Sequence, residues 1–343
     1  MKISRLAIVG YGNVGQGFVQ ILSEQAQYLE EQFNIQFKIV AVNDIRFGSL
    51  YDPNGLPLHT LLDAGQVGDL ASIPAPHYGW SVDAMLAQSN ADTLVEASYT
   101  DLRTGEPALS YIRQALSTGK HVVTTNKGPI ALCFPELKSL AAEHQVSIGY
   151  EGTVMSGTPT IALGRNLLAA AHIQRIQGIL NGTTNFILTR MEDGGSYTEA
   201  LTEAQALGYA EADPTGDVEG FDAAGKVVIL SNILMGAGLA MADVERQGIT
   251  QLTQEDIQQA AERGERWKLI GTVENVAGRV IASVRPTSLP SEHPLANVKG
   301  ALNAVTYTTD LLGEVTLIGA GAGRLQTGFA LLNDLLAIHG RIN

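Results

Sequence analysis

A single cysteine, Cys133, stands among 343 residues. It excludes an intramolecular disulfide and fits a reducing compartment. Following an apolar stretch, it reads as small core filler rather than a nucleophile. Basic residues are also scarce: 22 Lys and Arg stand against 35 Asp and Glu, a formal net charge of −13. That balance excludes a nucleic-acid role, which needs a basic face. Basic side chains must still gather wherever an anionic cofactor binds. No run is long and apolar enough to span a membrane. The start, Met1-Lys2-Ile3-Ser4-Arg5, enters a strand pattern directly and has no signal-peptide architecture, so a cytoplasmic protein is expected. Repeats and low-complexity segments are absent. What is present is an ordinary globular composition, 45% hydrophobic and 17% charged, in a chain long enough for two or three co-operating domains.

The apolar run Leu6 to Val9 reads as a buried parallel strand. After it, Val14, Phe18, Leu22, Ala26, Leu29 and Phe33 recur at mostly four-residue spacing, which predicts an amphipathic helix. Further strands are expected at Phe37 to Val42, Thr93 to Ala97, His121 to Thr125 and near Val146 to Tyr150, with helices between them. That alternation predicts a doubly wound α/β fold on a parallel sheet. In the middle of the chain a strand over Ile176 to Leu180 precedes Asn181-Gly182-Thr183-Thr184. Ser196 with Glu199, and Thr253 with Asp256, form capping boxes ahead of helices, the first stopping at Gly208. A long apolar helix is expected from about Val218 to Met235. Strands at Arg279 to Val284, Ala304 to Thr309 and Val315 to Ile318 suggest an antiparallel sheet, followed by a turn at Gly319 to Gly323 and a helix at Thr327 to His339.

Between the first strand and helix lies Gly10-Tyr11-Gly12-Asn13-Val14-Gly15. In such a turn the first glycine permits the bend, the second admits the pyrophosphate and the third lets helix and strand pack closely. The helix N-terminus then offers free N–H groups and a positive dipole to the phosphates. The strand–turn–helix setting confirms a motif that is weak alone, and predicts binding of a nicotinamide dinucleotide. Asp44, after the second strand, is placed to hold the ribose hydroxyls of NAD, while Arg46 could take the 2′-phosphate of NADP. The choice between NAD and NADP stays open.

The densest chemistry runs from Gly208 to Lys226 and contains Glu211, Asp213, Asp217, Glu219 and Asp222. Asp217 reads as a helix N-cap. Asp222 and Lys226 are spaced i, i+4 and share a helical face ahead of an apolar run. One such pair would be an ordinary surface ion pair. Several acids converging on a buried lysine, in a chain that binds a nicotinamide, point instead to proton transfer at a carbinol, with the acids holding an ammonium-bearing substrate. Lys127, in Thr124-Thr125-Asn126-Lys127-Gly128, closes a strand of the cofactor sheet, on the side where ligands bind. A solvated surface lysine is the alternative.

Together these segments resemble the homoserine dehydrogenase family. The resemblance extends through Leu94-Val95-Glu96-Ala97-Ser98, Gly105-Glu106-Pro107-Ala108, Tyr150-Glu151-Gly152-Thr153-Val154, Gly178 to Asn185 and His293-Pro294-Leu295-Ala296. It implies reversible NAD(P)-linked interconversion of L-homoserine and L-aspartate 4-semialdehyde, in the threonine, methionine and isoleucine branch of aspartate-family biosynthesis. By that likeness Lys226 is the general acid/base. Glu211, Asp217, Asp222, Thr183 and Lys127 are substrate residues. Gly10, Gly12, Asn13, Val14, Gly15, Asp44, Arg46, Ser98, Lys127 and Gly323 are cofactor residues. Glu151, with the carbonyls of Val154, Ser156 and Thr158, resembles a site for a monovalent cation, sodium or potassium; a structural carboxylate is the alternative at Glu151.

The resemblance also implies a Rossmann-type dinucleotide-binding domain, residues 1–135 and 319–343, and an inserted α+β catalytic and dimerisation region, residues 136–318, in a homodimer. Three departures stand out. Gly225 replaces a bulkier residue. Met155-Ser156 replaces a glycine-rich pair. The chain ends at Asn343, so feedback through an appended regulatory domain is not expected. The rival readings are a Rossmann oxidoreductase for another small amino or hydroxy acid, and a non-catalytic cofactor-sensing relative.

Overall fold

A computed structural model describes residues Met1 to Gly340. The chain divides into two compact units: Met1–Gly157 with the C-terminal stretch from Gly323, and Thr158–Ala322.

The first unit runs β1 (Lys2–Val9), α1 (Asn13–Phe33), β2 (Ile35–Asp44), β3 (Gly48–Tyr51), α2 (Leu58–Val67), β4 (His77–Tyr78), α3 (Val82–Gln88), β5 (Thr93–Glu96), α4 (Ala108–Ser117), β6 (His121–Thr124), α5 (Lys127–Glu143) and β7 (Ile148–Gly149). Its sheet has the order β4-β3-β2-β1-β5-β6-β7. The five strands β2, β1, β5, β6 and β7 are mutually parallel, and β3 and β4 add antiparallel edge pairs. Chain direction across the sheet reverses between β1 and β5, so the loop after β1 opens at the switch point, where α/β sheets bind ligands. The run Leu6 to Val9 is buried on both faces, as a central parallel strand requires. α1 buries Phe18, Val19, Leu22 and Leu29 and ends at Asn34, a left-handed residue with φ 50°.

The boundary expected at residue 135 falls inside α5. Pro135 lies inside this helix, and the backbone kinks two residues before it, at Cys133 (φ −133°). Cys133 is half-buried at that kink rather than core filler. The chain then adds β7 beside β6.

The second unit contains α6 (Thr160–Ala162), β8 (Ile173–Ile179), α7 (Gly182–Glu192), α8 (Tyr197–Ala206), α9 (Thr215–Val218), α10 (Phe221–Leu234), β9 (Val244–Arg246), α11 (Gln254–Glu262), β10 (Glu265–Val276), β11 (Arg279–Pro290), β12 (Leu302–Thr309) and β13 (Gly313–Ala320). Its six strands follow the order β13-β12-β8-β10-β11-β9, antiparallel except for β9 on β11. Both expected capping boxes form, at Ser196 with Glu199 and at Thr253 with Asp256.

β10, in the middle of this sheet, was not expected from sequence. Its Lys268 breaks the apolar pattern, yet is fully buried beside Glu192 at 3.3 Å. Gly271 of β10 lies where a Cβ would come within 2.7 Å of Val227 Cγ2, so its missing side chain lets α10 close onto the sheet. Gly319 and Ala320 complete β13, which shortens the expected turn.

The last helix, α12 (Arg324–Ile338), belongs to the first unit and crosses α1 at two glycines. A Cβ on Gly328 would lie 2.7 Å from Phe18 N, and one on Gly17 would lie 2.3 Å from Arg324 O. Among the described residues no helix is long and apolar enough to cross a membrane. Gly328→Val should lower the unfolding free energy by about 1–3 kcal/mol through overpacking at this crossing. Equilibrium denaturant unfolding, compared with the unsubstituted chain, checks it.

Candidate active site

In the first unit the glycine turn has the shape its sequence requires. Gly10 has φ 90°, and a Cβ there would sit 2.4 Å from Ala97 O. A Cβ on Gly15 would meet Gly10 O at 2.3 Å. Gly12 is the N-cap of α1 and has no side-chain cap, so the first N–H groups of a 21-residue helix are left to a ligand. This cradle fits a pyrophosphate. Asn13 and Val14 form the first turn of α1.

Asp44, at the end of β2, does more than wait for a ribose. Its Oδ2 accepts Tyr11 N–H at 2.7 Å, and its Oδ1 accepts the N–H groups of Arg46 and Phe47 at 2.8 and 3.2 Å. The carboxylate therefore shapes the glycine turn itself. Arg46 is exposed; its guanidinium lies 5.2 Å over the Phe47 ring, and Nη2 is 3.5 Å from where a Gly12 Cβ would be. A cation thus stands beside the turn.

Two further loops of this unit hold expected residues. Ser98 follows β5 and hydrogen-bonds Glu96; Lys127 opens α5, whose N-cap Asn126 accepts Gly128 N–H at 3.2 Å. Burial pushes the Glu96 carboxyl above its ordinary range, while hydrogen bonds from Ser98, Thr124 and Asn126 pull it back. Gly323, with φ 140°, is the N-cap of α12. Glu151 is buried, and its N–H donates to Asp334 at 2.9 Å. Met155 and Ser156 both take φ 57°, a left-handed pair in a region that glycine adopts more readily. Ser156 Oγ pairs with Thr327 Oγ1 at 2.7 Å. Val154, just before the Met155–Ser156 pair in sequence, is fully buried. Thr158 belongs to the second unit, where its carbonyl accepts Thr160 N–H at 2.7 Å.

The chemical centre of the second unit is Lys226. It is only 7% exposed, and Nζ donates to Leu180 O at 2.6 Å and to Asp222 Oδ2 at 2.7 Å. Asp222 lies one turn earlier on α10, as the spacing requires. Asn181 joins this pair to Asp217. Its Nδ2 donates to Asp217 Oδ1 at 2.6 Å and to Asp222 Oδ2 at 3.0 Å, while its Oδ1 caps α7 by accepting Thr184 N–H at 2.9 Å. Thr183 Oγ1 donates to Tyr209 O at 2.5 Å. Burial, and then the charge of Asp222, push the Asp217 carboxyl above its ordinary range; Asn181, Lys226 and Thr183 oppose this.

Two expectations need correction here. Asp217 is not the cap of the long helix. It lies in the short α9, and Glu219 and Gly220 separate it from α10; Gly220 has φ 79°, a bend that a continuous helix excludes. Nor do all the acids converge. Glu211 is exposed, with its carbonyl accepting Gln205 Nε2 at 3.1 Å, and Asp213 binds Thr215 N–H in the loop. Glu219 pairs with Thr250 at 2.8 Å. Asn181 is the group that sequence reasoning missed. Its position, after a strand and before a helix, marks an N-cap, but only the fold shows its other end on the acids.

The raised pKa of Asp217 gives a stability test. A carboxyl raised on folding favours the fold below its unfolded pKa, about 3.9, and that contribution is lost as pH rises through the folded value. Asp217→Asn removes the titration. The variant should therefore gain on the parent in Tm as pH rises from 4 to 8, and thermal unfolding at several pH values reads this directly. A constant difference would show that Asp217 titrates normally.

Comparison with known proteins agrees across nearly the whole chain. Residues 10–151 match the homoserine dehydrogenase NAD binding domain, and residues 159–336 match the homoserine dehydrogenase domain. The NAD(+)-dependent homoserine dehydrogenase of Pseudomonas canavaninivorans is 48% identical over 98% of this chain and 96% of its own length. The solved homoserine dehydrogenase of Thiobacillus denitrificans is 34% identical, with a TM-score of 0.86 over 98% of this chain and 73% of that one. A hyperthermophilic archaeal homoserine dehydrogenase mutant, solved in complex with NADPH, is 31% identical, with a TM-score of 0.82 and 99% coverage of both chains. With a dinucleotide cradle in one unit and a buried lysine–acid group in the other, the chain belongs to the homoserine dehydrogenase family.

Proposed function

We propose that Lys226 moves the proton in the reversible, NAD(P)-linked interconversion of L-homoserine and L-aspartate 4-semialdehyde. The observation that carries this reading is the buried ammonium itself. Nζ is held from two sides, by Leu180 O and by Asp222, at hydrogen-bond distance. A charge so placed stabilises an alkoxide on the substrate before it is fully formed, and can donate a proton to it. In the opposite direction the same amine takes the hydroxyl proton. The dinucleotide, when bound, accepts or supplies the hydride.

Asp222 orients Lys226, and with Asp217 provides negative charge for the substrate ammonium; Glu211, exposed on the loop before α9, is a substrate residue by the family likeness alone. Thr183, in the first turn of α7, adds a hydroxyl, and Lys127 serves the cofactor and substrate. Gly10, Gly12, Asn13, Val14, Gly15, Ser98 and Gly323 form the cofactor contacts, with Asp44 and Arg46 at the ribose. We assign a sodium or potassium ion to Glu151 and neighbouring carbonyls, since oxygen donors on a tightly turned loop suit a hard cation. The enzyme works as a cytoplasmic homodimer, the pairing that the likeness to the family implies.

Lys226→Ala should lower kcat by about a hundredfold or more, on the scale of a lost acid/base, with dinucleotide affinity retained. Near-normal turnover would remove Lys226 from this role. Arg46→Ala should raise KM for NADPH about tenfold or more, as loss of a charge-assisted contact predicts, and leave KM for NADH nearly unchanged. Parallel kinetics with the two cofactors measure the difference.

A further inference from the structure

Asp217 and Asp222 both accept a hydrogen bond from one amide nitrogen of Asn181, at 2.6 and 3.0 Å. Two carboxylates this close repel each other. They lie on different helices, Asp217 on α9 and Asp222 on α10, and the elbow Glu219-Gly220 joins the two. Asp222 is fixed by α10, whose residues from Ala223 to Ser231 are buried. Asp217 rides on a helix of four residues, too short to hold a position by itself. Asn181 draws the acids together from one side, so the elbow needs a hold from another.

The strap from Arg246 to Thr250 supplies it. This strap leaves the sheet at β9, which pairs with β11, and Gln247 N–H donates to Val284 O at 2.8 Å. Arg246 Nη1 donates to Glu219 O, the carbonyl that ends α9. The same guanidinium lies 3.5 Å over the ring of Phe221, the first residue of α10, a cation–π contact. One side chain therefore grips both sides of Gly220. Arg246 and Phe221 are both exposed, so core packing does not account for their contact. Ile249 N–H donates to Val218 O at 2.9 Å, and Thr250 Oγ1 to Glu219 Oε1 at 2.8 Å. A Cβ on Gly248 would lie 2.3 Å from Val218 O, so the strap closes on α9 only because that side chain is absent.

We propose that Arg246 is a positioning residue, which fixes the elbow between α9 and α10 and so holds Asp217 beside Asp222 at the substrate ammonium. This rests on the reading of those two acids as substrate residues. The ion pair of Lys226 with Asp222 lies within α10 and does not depend on the elbow. Losing the grip therefore frees Asp217 and spares the proton-transfer group.

Steady-state kinetics of the full chain with L-aspartate 4-semialdehyde test this. Arg246→Met keeps an apolar stem over Phe221 and loses the donor and the charge. It should raise KM for the semialdehyde about fivefold, the scale of one hydrogen bond, with kcat within about twofold of the parent. Arg246→Lys, which retains a cation and a donor, should bring KM back to within about twofold of the parent. In Asp217→Asn the charge being positioned is gone, so adding Arg246→Met there should change KM by less than about twofold. An equal rise in both backgrounds overturns the proposal, and so does an Arg246→Met variant that melts earlier but keeps the parent's KM. An Asp217→Asn variant with the parent's KM overturns the reading of Asp217 as a substrate acid, and the inference with it. If Arg246→Met does not fold, Thr250→Val decides, since it removes only the strap's bond to the Glu219 carboxylate. A rise in KM that Asp217→Asn abolishes then supports the proposal, and an unchanged KM overturns it.

Discussion

The buried ammonium of Lys226 is the constraint on which the second unit is organised. An unpaired charge in that position would cost several kcal/mol. The fold meets the cost with a carbonyl at the end of β8 and an aspartate one turn back on α10. Both partners depend on α10 lying close to the sheet, which Gly271 allows by having no side chain under Val227. Asn181 then ties the pair to Asp217 and at the same time starts α7. One amide thus couples helix capping to the arrangement of two carboxylates. Packing those carboxylates near each other and out of water works against stability, as the raised pKa of Asp217 shows. Strain of this kind at a site is commonly retained for function.

The first unit follows a different rule, which is close backbone approach. Gly10 against Ala97, Gly15 against Gly10, and Gly328 against Phe18 each replace a side chain with contact between main chains. The result is a turn that leaves the start of α1 without a side-chain cap, steadied from behind by Asp44 and by the hydrogen bonds of Glu96. Two carboxylates that could be mistaken for ligand groups therefore also serve as internal scaffolding.

Local signals made much of this legible. The glycine turn, the i, i+4 spacing of Asp222 and Lys226, and both capping boxes depend on residues a few positions apart, and they form in the structure. The parts that were not legible depend on distant contacts. Asn181 meets Asp217 and Asp222 across 36 and 41 residues. β10 hides behind a lysine that only Glu192, from another element, makes tolerable in the interior. The start of α10 shifts because Gly220 adopts a positive φ that no pattern of apolar residues encodes.

Whether the Lys226 amine itself carries the proton is tested most directly by chemical rescue of Lys226→Ala with small primary amines. The account predicts that added methylamine or ethylamine restores turnover of L-aspartate 4-semialdehyde in a saturable way, with rates ordered by the basicity and size of the amine. A folded, cofactor-binding variant that no amine rescues would contradict it.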